Sequence, residues 1–143
     1  MKIIKNILIP IILGTIIGFI SGLNNNYNNF IKPDIQPPNI VFPIVWTILY
    51  ILMGISNYLV TKDKPQEKIY IIQLIVNLLW SIIFFNLKLY LLAFIWILVL
   101  IILVIYMIYR FYQTNKIAAY LNIPYLIWII FAAYLSYQVY LLN

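Results

Sequence analysis

Residues 69–112 read IYIIQLIVNLLWSIIFFNLKLYLLAFIWILVLIILVIYMIYRFY, an almost unbroken apolar run of 44 residues. One helix of that length would rise about 66 Å at 1.5 Å per residue. That is over twice the hydrocarbon thickness of a bilayer, roughly 30 Å. Asn86 and Lys88 interrupt the run near its midpoint with an amide and a charge. The run therefore reads as two membrane helices meeting at Asn86–Lys88. A single long helix in water would need a charged face, and this stretch has none.

Apolar runs of spanning length recur on either side. The expected helices are residues 3–23, 40–61, 69–87, 89–112 and 118–142. The composition agrees: 66% of residues are hydrophobic and 8% are charged, where soluble domains run nearer half apolar and about a quarter charged. A soluble core of this size could not hide so much apolar side chain. The sequence thus predicts an all-α membrane protein, a five-transmembrane-helix bundle forming a single domain over residues 1–143. The first run follows Lys2 and Lys5 as a signal peptide would. It is about 20 residues long and no small-residue cleavage site follows, so it is expected to remain as a helix.

Basic residues set the expected orientation. One side carries Lys2, Lys5, Lys62, Lys64, Lys68, Arg110 and Lys116, and the other carries only Lys32 and Lys88. The N-terminus is expected inside, the C-terminus outside, and loop 24–39 outside. The net charge of +6 belongs to these helix ends, so no nucleic-acid partner is expected.

The chain has no Cys and no His, which removes thiolate and imidazole metal sites, Cys nucleophiles and His bases. The only acids, Asp34, Asp63 and Glu67, lie in polar loops. A carboxylate relay inside the membrane is therefore not expected, and neither is a metal site.

The helices still carry side chains of interest. Gly14, Gly18 and Gly22 stand four apart on one stripe of the first helix, and three of the four glycines lie there. Glycine lets membrane helices approach closely. The stripe packs either against this bundle or against a second copy. In the second helix Trp46, Tyr50 and Asn57 fall within about 40° of one another at 100° per residue. In the third, Gln73, Asn77, Trp80 and Phe84 share a stripe, with Ser81 beside it. In the fifth, Trp128 stands above Ala132, Leu135 and Ser136. Amides inside a membrane helix face the protein interior. These stripes either fill the core or line a pocket. The fourth helix is apolar on every face and is expected to be mainly lipid-facing, with Trp96 facing lipid or packed.

Three motifs carry a resemblance. Pro37-Pro38, Phe42, Trp46, Leu49-Tyr50 and Met53-Gly54 form the first. Asn77, Trp80-Ser81 and Phe84-Phe85 form the second. Leu121, Pro124-Tyr125, Trp128 and Phe131-Ala132 form the third. In this order they resemble the TspO/MBR family, the tryptophan-rich sensory and translocator proteins. The resemblance implies a five-helix bundle, often dimeric, and a pocket beneath the first loop for porphyrins and other hydrophobic ligands. It implies ligand contacts at Tyr27, Pro38, Trp46, Tyr50, Asn77, Trp80, Ser81, Phe84, Trp128, Phe131 and Ala132. The ligand would be protoporphyrin IX or a haem-like tetrapyrrole, with no cofactor required. Some bacterial members are credited with light-dependent porphyrin breakdown, and Trp46 and Trp128 match the tryptophans implicated there. Two functions follow from the resemblance, tetrapyrrole binding in sensing, transport or homeostasis and light-dependent degradation without acid–base residues; a third, a structural or regulatory partner subunit, would act through the Gly14–Gly18–Gly22 stripe. The sequence departs from the family at Asn26 and Ile35, where relatives often carry tryptophan, so the first loop has fewer aromatic residues than theirs; Ile44 stands where a second proline often follows Pro43. No basic residue follows Tyr137 or Tyr140, and cholesterol binding is not expected.

Overall fold

The helix that begins at Lys68 does not run into its successor. The computed structural model of the chain describes residues 2–21, 41–62 and 64–143. There this helix stops being α-helical at Ser81 and closes in a π-helical turn, Ile82–Asn86. The Leu87 N–H reaches back five residues to the Ile82 carbonyl at 3.0 Å, and the Leu89 N–H reaches the Ile83 carbonyl at 3.2 Å. Lys88 then takes φ 53°, a left-handed conformation that costs a residue with a Cβ about 1 kcal/mol. The next helix starts at Tyr90. The amide and the charge in the middle of the 69–112 run thus mark a true reversal.

Among the described residues six α-helices follow one another: α1 Lys2–Ser21, α2 Val41–Thr61, α3 Lys68–Ser81 with its π turn, α4 Tyr90–Thr114, α5 Lys116–Leu121 and α6 Ile123–Leu142. Four stretches, Val41–Thr61, Lys68–Asn86, Tyr90–Thr114 and Lys116–Leu142, are long and apolar enough to cross a membrane, and Ile3–Phe19 is a shorter apolar helix. The architecture is an all-α bundle of five apolar helical segments.

The fifth segment was expected as one helix over residues 118–142. It is divided at Asn122, and Pro124 explains the division. Proline has no N–H for the preceding turn, and its ring collides with that turn's carbonyl. The chain accordingly restarts, with Pro124 in the first turn of α6. Asn122 closes the joint: its N–H donates to the Ala119 carbonyl at 3.1 Å, and its side-chain amide donates to the Ala118 carbonyl at 3.0 Å. The same amide donates to Ser56 Oγ on α2 at 2.7 Å, so the joint also fastens two segments together.

The helices close a ring. α1 packs against α2 and α3, α2 against α5, α5 and α6 against α4, and α4 against α3. Isoleucines such as Ile12, Ile75, Ile102 and Ile127 are exposed on the outside, where lipid would meet them.

α4 faces mainly outward, as its all-round apolarity predicts. One stripe turns inward, where Ala93, Ile97, Leu100, Val104, Met107 and Phe111 are buried. Their spacing alternates four and three residues, the period of a helix face. Trp96 is half-buried and donates its indole N–H to the Val76 carbonyl of α3 at 2.8 Å.

Glycine permits close approach of α1 and α2 at two positions, Gly54 of α2 and Gly14 of the α1 stripe. A Cβ on Gly54 of α2 would collide with the Asn6 carbonyl and would lie 2.6 Å from Ile7 Cα. Pro10 stands one turn above, within α1, and offers no N–H to the Asn6 carbonyl four residues back. The Asn6 side chain accepts from Asn57 Nδ2 at 2.6 Å, and Asn57 exchanges two further amide bonds with Gln66. Gly14 lies against the Tyr50 ring, which a Cβ there would strike. A Cβ on Gly18 would meet nothing within 4 Å among the described residues. Gly22 lies outside the described residues.

Candidate functional site

The interior of the ring is layered, and the helical period of each wall produces the layers. On α2, Phe42, Trp46, Tyr50 and Met53 recur at helical spacing and turn inward. On α6, Tyr125, Trp128 and Ala132 do the same, and on α3, Gln73 and Asn77.

The first layer is aromatic. Trp46 stacks on Tyr50 with centroids 5.7 Å apart. It meets Tyr125 and Trp128 edge-on, each at 6.3 Å. Trp128 in turn contacts Phe42 at 5.7 Å and Phe131 at 5.5 Å. Offset and edge-on arrangements at these distances are the favourable ones for aromatic pairs. The Trp128 indole N–H is buried without an acceptor among the described residues. The layer lies at the end of α2 that follows residues 22–40.

The second layer is a buried hydrogen-bond chain. The Tyr50 hydroxyl donates to Asn77 Oδ1 at 2.8 Å, and Asn77 Nδ2 donates to the Tyr125 hydroxyl at 2.8 Å. The Tyr125 hydroxyl donates to Gln73 Oε1 at 2.8 Å, and Gln73 Nε2 donates to the Tyr70 carbonyl at 3.1 Å. This chain joins α2, α3 and α6 through uncharged groups. In an apolar interior such groups are costly unless they are paired. Pairing makes the layer a fixed floor beneath the aromatic one.

The structure therefore brings together Trp46, Tyr50, Asn77, Trp128 and Phe131 from the expected site. Ala132 is buried on the same face of α6. Trp80 and Phe84 belong to a second aromatic group: Trp80 stacks on Phe84 at 5.1 Å, and Phe84 meets Phe85 and Tyr90 edge-on at 4.7 and 5.1 Å. Ser81 is half-buried at the end of α3. Tyr27 and Pro38 lie outside the described residues. Asn77 was expected to reach a ligand, but its oxygen and its nitrogen are each engaged by a tyrosine. It serves as the keystone of the floor.

Sequence reasoning passed over Tyr125, Gln73 and Phe42 as site residues. The signal for Tyr125 was available, since it precedes Trp128 by three residues and so shares its helix face. Phe42 stands four residues before Trp46 in the same way. Among the described residues no group of three His, Cys, Asp or Glu side chains comes together. The site offers aromatic walls, an unengaged indole N–H and a neutral floor, which suits a flat apolar molecule with a polar edge.

Relatives of known name share this chain's pattern. A protein called tryptophan-rich protein TspO in Chlorobaculum tepidum is 37% identical over 120 residues, covering 79% of this chain and 76% of that one. The protein of the same name in Archaeoglobus fulgidus is 38% identical over 117 residues, 78% of this chain and 76% of that one. The human translocator protein is 34% identical over 116 residues, 76% of this chain and 69% of that one. The profile of the TspO/MBR family matches residues 6–142, and the chain belongs to that family.

Proposed function

We propose that this membrane protein binds porphyrin-like or other flat hydrophobic ligands between α2 and α6, and that it acts in sensing, transport or homeostasis of such ligands. The observation that carries this reading is the edge-on pair of Trp46 and Trp128, 6.3 Å apart, above a fully paired polar floor. Pockets that are mostly apolar with a few placed polar groups are the usual form of ligand sites. A planar ring entering here would replace the contact between the two indoles with stacking on each. The Trp128 N–H would meet an acceptor on the ring edge. Two of the relatives above are named for tryptophan richness and one for translocation, which agrees with a tryptophan-lined ligand path.

The test is titration of the purified protein with protoporphyrin IX, followed by fluorescence quenching. Each aromatic contact contributes about 1 kcal/mol beyond burial. Trp46→Ala combined with Trp128→Ala removes both rings and is expected to weaken binding at least thirtyfold, taking about 1 kcal/mol for each. Unchanged affinity in the double variant would remove these residues from the site. The distribution of basic residues supports a ligand mouth on the outer side, and a reporter fused after Asn143 is expected to be non-cytoplasmic.

A further inference from the structure

At the opposite end of the bundle from Trp46, the start of α3 and the end of α4 enclose a groove of about 580 Å³. Lys64, Lys68 and Arg110 line it against a single carboxylate, Glu67, so its lining carries two positive charges in excess. Glu67 is already engaged: it accepts from Arg110 Nη2 at 3.2 Å through both oxygens and from Nε at 3.4 Å. This contact holds the guanidinium in place and leaves its Nη1 without a partner among the described residues. Lys64 and Lys68 are exposed, and among the described residues neither is paired with a carboxylate.

The remaining wall is of another kind. Ile72 lies one turn into α3, and Tyr106 lies one turn deeper than Arg110 on α4. Both line the groove, and both are about half exposed on the flank of spanning helices. Cations thus sit at the helix ends with an apolar, outward-facing wall immediately below them, continued by exposed Ile75 and Ile102. A free anion would use only the cations. A molecule with an anionic head and acyl chains would use both.

We infer that this groove holds the phosphate headgroup of an anionic phospholipid from the adjoining leaflet. Lys64, Lys68 and Arg110 contact the phosphate, and the chains run down past Ile72 and Tyr106. Polybasic sites at a membrane surface recognise anionic lipids in this way.

The purified full-length protein should be presented with phosphatidylglycerol, with phosphatidylcholine of the same acyl chains, and with inorganic phosphate. Native mass spectrometry then reads the retained lipid. Phosphatidylglycerol is expected to stay bound in preference to phosphatidylcholine. Lys64→Gln with Lys68→Gln should cut that retention about thirtyfold, taking about 1 kcal/mol for each lysine near an anionic headgroup. Lys5→Gln with Lys62→Gln removes the same charge from exposed positions outside the groove and should leave retention unchanged. Equal retention of the two lipids would overturn the inference, as would equal loss in the two double variants. Displacement of the lipid by millimolar inorganic phosphate would assign the groove to a free anion instead.

Discussion

Asn77→Leu is expected to lower stability by about 3 kcal/mol, because it breaks the buried chain at its centre. The substitution leaves the Tyr50 hydroxyl with no acceptor and takes one donor from the Tyr125 hydroxyl. An orphaned buried polar group costs about 1–3 kcal/mol. Leucine has a similar volume, so little of the loss comes from a cavity. Reversible unfolding in detergent micelles, followed by circular dichroism, measures the effect. A double-mutant cycle separates the interaction from the packing: with Tyr50→Phe already in place, Asn77→Leu should cost clearly less. Equal cost in both backgrounds would mean that the two side chains do not interact. Asn77→Asp is also expected to destabilise. A carboxylate accepts from Tyr50 but cannot donate to Tyr125, and it adds a charge to an interior without a cation.

The second large effect is expected at Gly54. The atoms that a Cβ would strike belong to the backbone of Asn6 and Ile7, and backbone cannot swing aside as a side-chain tip can. Gly54→Ala is expected to force α1 and α2 apart and to cost about 2 kcal/mol, within the range for overpacking. Gly54→Leu should prevent accumulation of folded protein. Gly18→Ala serves as the contrast, because a Cβ there meets no atom within 4 Å among the described residues and alanine favours helix by about 1 kcal/mol over glycine. Thermal melts of Gly54→Ala and Gly18→Ala, with the membrane yield of Gly54→Leu, decide the matter. A Gly54→Ala protein as stable as Gly18→Ala would show that the α1–α2 crossing is not set there.

These two positions show what the sequence disclosed and what it withheld. Helix number, order and approximate length were legible, because a bilayer demands long apolar runs and the polar break at Asn86–Lys88 was visible. Which face of α4 turns inward was not legible. Inside a membrane both the core and the lipid favour apolar residues, so hydropathy cannot separate Ile97, which is buried, from Ile102, which is exposed. The amide stripe on α3 and the tryptophans of α2 and α6 were found, since polar and aromatic residues are distinctive against isoleucine and leucine. The partners of Asn77 were not found, because hydrogen-bonded pairs separated by 27 and 48 residues depend on how helices are arranged around the ring. The α1 stripe drew attention to three glycines in register. Gly14 of that stripe does lie against Tyr50, but the approach of backbone to backbone belongs to Gly54, whose significance depends on the α1 backbone opposite. Trp80 shared a helical face with Asn77 and was assigned to the same site. The π turn after Ser81 carries its neighbours Phe84 and Phe85 into a separate aromatic group.

The account rests on Trp46 and Trp128 forming the walls of a ligand site, with Trp80 and Trp96 engaged elsewhere. The chain has only four tryptophans, so its indole N–H signals can be resolved and assigned individually by nuclear magnetic resonance on 15N-labelled protein. On addition of protoporphyrin IX, the signals of Trp46 and Trp128 are expected to move. The signal of Trp96, whose N–H is held by the Val76 carbonyl, is expected to stay. Movement confined to Trp80 and Trp96, with Trp46 and Trp128 unchanged, would contradict the site.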